Sequence, residues 1–318
     1  MLGETVDRDR DSFRILAMDQ SEMLPVYEGH MMPTFGDEPP CSYGCKYCFA
    51  HTKGFRQDAD QLKPSSPEGA DRQIRTTLER LGKWVHCLVS SRFHELFARD
   101  EREGLAHVRR LAGYGKSVSL LTKAALSAGT VDALAELNNR MKEQGNRLAV
   151  EVSFVSGRDR PDLEVHAPAV QARIDAARLL AAKDVPVGAC ISPVLPEEIV
   201  STDELHALVE ETRDVMGAYT VSRGFAYTDE IDERMGLSML PGVPDHTTHN
   251  HTNPLVEAPT FSHWHLYSDP RTHELKKHIR RGGRPAFSRS TLAVNHLIRT
   301  AGGTVPEYLW QVWQREAA

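Results

Sequence analysis

Strand patterns alternate with helical patterns along most of the chain, and this alternation limits the folds that the chain can adopt. Strand-type runs of apolar and β-branched residues lie at 84–90, 117–122, 148–154, 186–194 and 219–221. Helical patterns lie at 68–81, 101–113, 130–141, 168–183 and 202–217, with Thr130 as the expected cap of the third. Such alternation predicts a parallel sheet covered by helices.

Right-handed crossovers curl a parallel sheet into a full or partial barrel, with ligands at the carboxyl ends of its strands. The predicted fold is an α/β, partial (β/α)6 TIM-type barrel with a mostly irregular or helical C-terminal extension. We expect an N-terminal extension over 1–37, the barrel core over 38–240, and an extension over 241–318 that could close over the mouth as a lid.

Three cysteines lie within eight residues: Cys41, Cys45 and Cys48, spaced C-x3-C-x2-C. Three thiolates on one tight loop can hold three irons of a cubic iron–sulfur cluster and leave the fourth iron open. The alternative is zinc, because His51 follows Cys48 by three positions and completes a Cys3His set. Zinc modules more often use two separated ligand pairs, so the spacing favours the cluster.

The motif, with the aromatic Tyr47 before the last cysteine, resembles the signature of the radical S-adenosylmethionine (SAM) superfamily. The resemblance implies a 4Fe–4S cluster whose open iron binds SAM. One electron, from a donor such as flavodoxin or ferredoxin, then splits SAM and gives a 5′-deoxyadenosyl radical, which takes a hydrogen atom from the substrate. Tyr47 fills a slot that in relatives lies near the adenine.

Several segments resemble spore photoproduct lyase and its relatives: 41–54, 120–123, 151–153 and 168–193, within a similarity that covers roughly 38–225. This resemblance implies that Lys123 and Ser153 hold the carboxylate and ribose of SAM, and that Ile191 packs against adenine. Arg173 would add a polar anchor, or else pair with an acid on a helix face.

Cys87 lies in the second predicted barrel strand, where some of these lyases carry a cysteine that returns a hydrogen atom to the product radical. The alternative is a small buried apolar residue. Two features depart from the relatives: Phe49 stands where the lyases carry a tyrosine, and Ser90-Ser91 replaces the Gly-Gly-Glu pattern that binds the methionine amine in many superfamily members. The two serines or nearby carbonyls would then accept the amine.

The formal net charge of −6 argues against nucleic acid as a partner. The exception is a basic stretch formed by Lys276, Lys277, His278, Arg280, Arg281 and Arg284. It is either a solvated helix end that stops at Gly282 or a contact for nucleic acid. A histidine-rich segment over 246–278 begins with His246, His249 and His251, and we expect an exposed loop that covers the substrate rather than a metal site.

No apolar run approaches the ~20 residues of a membrane span, the first eleven residues do not read as an export signal, and the cysteine count of five is odd. We expect a cytoplasmic protein with no membrane contact. The preferred hypothesis is a biosynthetic radical SAM enzyme acting on a small polar metabolite, its reaction subclass left open. DNA photolesion repair is the second hypothesis, and a non-catalytic zinc module is the third.

Overall fold

A computed structural model of the chain describes residues 6–9, 12–15, 24, 26–33, 41–52, 66–90, 95–222, 224–240, 243, 247–249, 265–307 and 309. The thirteen strands of these residues are β1 Val6–Asp9, β2 Ser12–Ile15, β3 Val26–Tyr27, β4 His30–Met31, β5 Cys87–Val89, β6 Ser117–Thr122, β7 Leu148–Phe154, β8 Val187–Ile191, β9 Tyr219–Val221, β10 Gly224–Tyr227, β11 Thr247–His249, β12 His265–Ser268 and β13 Ala286–Phe287.

Ten of the described strands form one sheet in the order β1 to β9 followed by β13. The pairs from β1 to β4 are antiparallel, and every pair from β4 to β13 is parallel, so seven parallel strands stand side by side. Their carboxyl ends therefore share one edge of the sheet, called the mouth below.

The helices of the described residues are α1 Pro67–Leu81, α2 Glu101–Ala112, α3 Ala128–Glu143, α4 Val170–Ala182, α5 Thr202–Thr212, α6 Asp229–Met235, α7 Arg271–Arg281 and α8 Ser290–Thr300. Thr130 does not cap α3, as the sequence had suggested. The helix begins two residues earlier, and Ser127 accepts the bond from the Thr130 amide at 3.3 Å. Ser201 caps α5 in the same way.

The predicted partial barrel is confirmed, and the bounds of β6, β7 and β9 match the predicted strands. The sheet draws on both predicted extensions. β4 comes from the N-terminal one and is the first parallel strand, while β13 from the C-terminal one adds a seventh parallel strand beside β9. The cluster motif follows β4, which places it at the mouth.

The two faces of the sheet have different partners, because side chains alternate between them along each strand. Leu148, Val150 and Val152 of β7 face outward and belong to one apolar core with residues of the covering helices. Ala149 faces inward and packs against α8 in a second, smaller core. By this alternation Glu151 and Ser153 also lie on the inner face, with Ser153 nearest the mouth.

Helix α8 covers the inner face near the amino ends of the strands, where it contacts Cys87, Ala149 and Ala218. Buried polar contacts fix it there. Asn295 Oδ1 lies 2.7 Å from the Nε2 atoms of both His30 and His86. An inner helix at this level leaves the carboxyl ends of the strands as the place for ligands.

The basic stretch lies at the edge opposite the mouth, because α7 ends there and leads directly into β13. Much of its charge is engaged within the fold: Lys276 bonds Ser288 at 2.6 Å, Arg280 bonds the Ala286 carbonyl at 2.9 Å, and Arg284 bonds the Arg213 carbonyl at 2.8 Å. The helix-end interpretation therefore fits the structure.

The histidine-rich segment contains strands where a loop was expected. β10, β12 and β11 form a three-stranded antiparallel sheet in which His249 pairs with His265. His246, His251 and the stretch 250–264 lie outside the described residues. Within the part of the chain that the structure covers, no helix has the length and apolar character that a membrane crossing requires.

Adjacent leucines on α4 provide a matched test of the outer packing. Leu180 is fully buried, whereas Leu179 is 45% exposed. Leu180→Ala leaves a cavity and should lower the free energy of unfolding by about 2–5 kcal/mol. Leu179→Ala should change it by less than about 0.5 kcal/mol. Urea unfolding followed by circular dichroism measures both, and equal losses would contradict the described packing of α4.

Candidate active site

The cysteine loop is held in shape by the segment that follows β7. Cys45 forms an antiparallel bridge with Glu164, the Lys46 amide donates to the Leu163 carbonyl at 2.9 Å, and the His166 amide donates to the Tyr43 carbonyl at 3.0 Å. Gly44 has φ +62°, a conformation that glycine adopts without strain. Backbone pairing on both sides of Gly44 thus fixes where Cys45 points.

Cys45 is buried, while Cys41 and Cys48 are partly exposed. Burial raises the pKa of all three thiols, that of Cys45 to about 11. The Lys123 ammonium acts on each in the opposite direction, and amides of Tyr43 and Glu95 donate to the sulfur of Cys41. A metal that binds these sulfurs would deprotonate them, since coordination favours the thiolate.

The three thiols are close enough to share one iron–sulfur cluster. Cys41 and Cys45 each interact electrostatically with Cys48, so the sulfurs are neighbours. Yet no three His, Cys, Asp or Glu side chains among the described residues converge well enough to hold one metal ion. Amide N–H groups aimed at the sulfurs also suit an iron–sulfur cluster.

Glu164 gathers three of the predicted site residues around one buried carboxylate. Its Oε1 accepts a short hydrogen bond from Tyr47 and lies 2.9 Å from Nζ of Lys123, and its Oε2 pairs with Arg173. Burial alone would raise the pKa of Glu164, but Lys123 and Arg173 lower it to about 2. The carboxylate is therefore ionised at neutral pH.

Lys123 joins this network to Ser153. Its Nζ donates to Oγ of Ser153 at 2.8 Å, and it lies 5.7 Å from the centre of the Tyr47 ring. The Lys123 side chain is 14% exposed, more than any of its partners in the Glu164 network. The ammonium is thus the member of the group that a ligand at the mouth can reach.

Arg173 reaches the network from α4 and is only 2% exposed. Its Nε donates to the Pro168 carbonyl at 2.9 Å, its Nη1 to the Ser153 carbonyl at 3.2 Å, and its Nη2 to Glu164. Arg173 therefore pairs with an acid, which was one of the two predictions for it. The acid is Glu164, which lies in a loop and not on a helix face. Arg173 reaches the site through Glu164 and the Ser153 backbone.

A second buried carboxylate, Glu95, organises the end of β6. It accepts hydrogen bonds from the Thr122 hydroxyl at 2.7 Å, the Phe97 amide at 3.2 Å and the Lys123 amide. Burial raises its pKa, and these donors oppose the rise. Sequence reasoning missed Glu95 and Glu164. Glu95 follows β5 by six residues, at the predicted mouth, and that position was the available signal for it.

Ser90 directly follows β5 and is fully buried, and its Oγ has no hydrogen-bond partner among the described residues. A buried hydroxyl without a partner is costly. Ser91 lies outside the described residues. The expectation that these serines accept the amine of SAM stays a prediction.

Ile191 does not lie on the inner face. It is fully buried in the outer core, and alternation along β8 turns Cys190 inward beside its partner Ser153. The predicted contact between Ile191 and adenine therefore disagrees with the structure. Neighbouring residues of a strand face opposite sides of the sheet, so an error of one position exchanges the inner face for the outer face. Cys190 is the residue of this pair that neighbours Ser153.

Cys87 lies at the wrong end of its strand for the predicted hydrogen-atom donor. It begins β5 and pairs with Ser117, the first residue of β6, whereas the mouth lies beyond Thr122. Five residues of strand separate those levels by about 16 Å. Cys87 is fully buried against α8, which fits the alternative of a small apolar core residue.

The fold is similar to solved structures of spore photoproduct lyase. The complex with dinucleoside spore photoproduct matches with a TM-score of 0.52 at 14% identity, over 76% of this chain and 70% of that chain. A mutant with bound AdoMet and the same dinucleoside matches with a TM-score of 0.52 at 14% identity, over 75% and 69%. At this identity the likeness shows a shared fold. No family model and no curated protein sequence matches the chain.

Replacing Glu164 should destabilise the protein in a pH-dependent way. Glu164→Gln leaves Arg173 buried without its counter-charge and should cost about 3–5 kcal/mol at neutral pH. The native pKa is lowered from 4.5 to about 2, so the stabilisation by Glu164 is fully present above about pH 4.5 and is lost as the pH falls toward 2. The difference between wild type and variant should therefore narrow over that range.

Urea unfolding of both proteins at pH 7, 5, 4 and 3 measures this difference. Asp162→Asn is the matched control, because Asp162 lies on the same loop, is 57% exposed and pairs with Arg160. An exposed pair contributes roughly 0–1 kcal/mol. A Glu164→Gln effect that is small or constant across the range would contradict the described network.

Proposed function

We propose that the chain is a radical SAM enzyme that holds a 4Fe–4S cluster through Cys41, Cys45 and Cys48. One observation carries the proposal: the three neighbouring thiols share the mouth of a parallel sheet with the linked pair Lys123 and Ser153. The fold shared with a spore photoproduct lyase that was solved with bound AdoMet supports the proposal further.

When bound, the reduced cluster would supply one electron to SAM, and cleavage would give methionine and a 5′-deoxyadenosyl radical. The chain's own residues bind and orient the cofactor. Lys123 offers a cation to the carboxylate of SAM, and the Ser153 hydroxyl can donate to or accept from ribose oxygens. Glu164 and Tyr47 hold the Lys123 ammonium in place. An electron donor such as flavodoxin or ferredoxin and a reducing compartment such as the cytoplasm belong to the same proposal.

A small polar metabolite is the substrate class that we favour. The inner face near the mouth presents small side chains, Ser153, Cys190 and Thr220. The charges of Lys123 and Arg173 face the carboxylates of Glu164 and Glu95 within the described site. Nucleic-acid binding relies on cations that neutralise several phosphates. The described basic stretch lies at the far edge of the sheet and does not supply them.

Photolesion repair is the second candidate, and the solved structures favour it. The spore photoproduct lyase that shares this fold is complexed with a dinucleoside spore photoproduct, which is a small nucleoside ligand and not a long polyanion. A hydroxyl-lined mouth would accommodate either a nucleoside or another polar metabolite. Phe49 in place of the lyase tyrosine weighs against the same hydrogen-atom relay.

The radical SAM assignment predicts that anaerobically reconstituted protein, given SAM and dithionite, produces 5′-deoxyadenosine, which chromatography detects. Cys45→Ala should abolish this product and lower the iron and sulfide content. Cys87→Ala is the matched control, since Cys87 is buried at the amino end of β5, and it should keep both the iron and the product. Full turnover by Cys45→Ala, or one zinc ion per chain in the wild type, would refute the assignment.

The two candidate functions predict different strengths and salt dependences of binding to DNA. Repair of lesions in DNA predicts binding to ultraviolet-irradiated DNA that weakens steeply with salt, whereas a metabolite enzyme should bind such DNA only weakly. Because Lys277 and Arg281 are exposed at the edge opposite the mouth, their double reversal to Glu should leave 5′-deoxyadenosine formation unchanged. Tight binding of the protein to irradiated DNA, together with conversion of its lesions to intact thymines, would favour photolesion repair over a reaction on a small metabolite.

A further inference from the structure

We propose that Arg173 and Glu164 form a neutral buried pair in which Arg173 offsets the charge of Glu164, and that Arg173 thereby keeps Lys123 available to the carboxylate of SAM. Arg173 is on this view a positioning residue and makes no contact with SAM itself. The inference rests on the proposed function, because it concerns the same site.

The charges around Glu164 can be counted from the contacts. Glu164 receives the Lys123 ammonium on Oε1 and the Arg173 guanidinium on Oε2, and the only further described donor to the carboxylate is the neutral Tyr47 hydroxyl. Two cations and one anion leave one positive charge on this group of contacts; the Glu95 carboxylate, whose charge also acts on Lys123, lies outside the group and is unchanged by the variants below. A ligand with a single carboxylate would neutralise it.

Burial assigns that positive charge to Lys123. The side chains of Arg173 and Glu164 are 2% and 4% exposed, whereas that of Lys123 is 14% exposed. The donors of Arg173 are directed to Glu164, to the Ser153 carbonyl and to the Pro168 carbonyl, all within the fold. Lys123 instead bonds the hydroxyl of Ser153, which can turn toward a ligand.

Without Arg173, Glu164 alone would offset the positive charge of Lys123. Lys123 and Glu164 alone make a neutral pair, and a carboxylate that approached Lys123 would meet the Glu164 charge unopposed in a site of low polarity. Arg173 offsets that charge from the side away from the mouth. Loss of the guanidinium should therefore weaken ligands that carry a carboxylate and spare those that do not.

Two nucleoside thioethers separate these effects. S-adenosylhomocysteine carries the amino acid group of SAM, and 5′-methylthioadenosine lacks it. Anaerobic calorimetry on the reconstituted protein gives the ratio of their dissociation constants, a readout that does not depend on turnover. Arg173→Gln should lower the preference for S-adenosylhomocysteine roughly tenfold to a hundredfold, as expected for loss of one charged interaction.

The double variant Glu164→Gln/Arg173→Gln removes one positive and one negative charge, so the site has the same net charge as in the wild type. Its preference should return to within about threefold of wild type, although it lacks every hydrogen bond that Arg173 makes. Arg173→Lys keeps the charge and should also stay within about threefold. Arg178→Gln is the matched control on α4, because Arg178 is 43% exposed and pairs only with Asp175 among the described residues.

Iron content and melting temperature show which variants fold. If Arg173→Gln folds and keeps the wild-type preference, or if the double variant stays as impaired as Arg173→Gln, the proposal is overturned. If Arg173→Gln does not fold, the test rests on the double variant and on Arg173→Lys. A tenfold loss of the preference for S-adenosylhomocysteine over 5′-methylthioadenosine in either variant then overturns the proposal. A wild type that binds neither S-adenosylhomocysteine nor SAM would instead overturn the proposed function.

Discussion

The candidate site depends on one buried carboxylate. Glu164 takes charged and hydroxyl donors from the cysteine loop, the end of β6 and helix α4, three parts of the chain that are far apart in sequence. Its backbone pairs with Cys45 at the same time. The position of the thiols and the position of the cation are therefore set by one residue, and its ionisation is maintained by the groups that it holds.

Much of the fold could be predicted from the pattern of apolar residues. The strands at Ser117–Thr122 and Leu148–Phe154 have the predicted bounds, because buried parallel strands leave a continuous apolar signal between helices. The sheet gained β4 and β13, which the pattern did not reveal. Each has only two residues, too few for periodicity, and each depends on neighbouring strands for its pairing.

The site could be predicted only where local sequence determines geometry. The motif brought Cys41, Cys45 and Cys48 together on one loop, and strand ends brought Lys123 next to Ser153. The roles of Ile191 and Cys87 came from the family resemblance, and the structure disagrees with both, because Ile191 faces the outer core and Cys87 lies at the amino end of β5. Glu164 was missed because a single acid in a loop carries no pattern until the chain has folded around it.

Helix α8 has a consequence for how the molecule assembles. Asn295 bonds His30 across 265 positions of sequence and His86 across 209, so the inner face of the sheet is closed by contacts between segments far apart along the chain. Contacts of such separation form slowly, since a long loop must close before they are gained. Until then the histidines and the apolar inner surface face water, and a nascent chain would need protection from self-association during that interval.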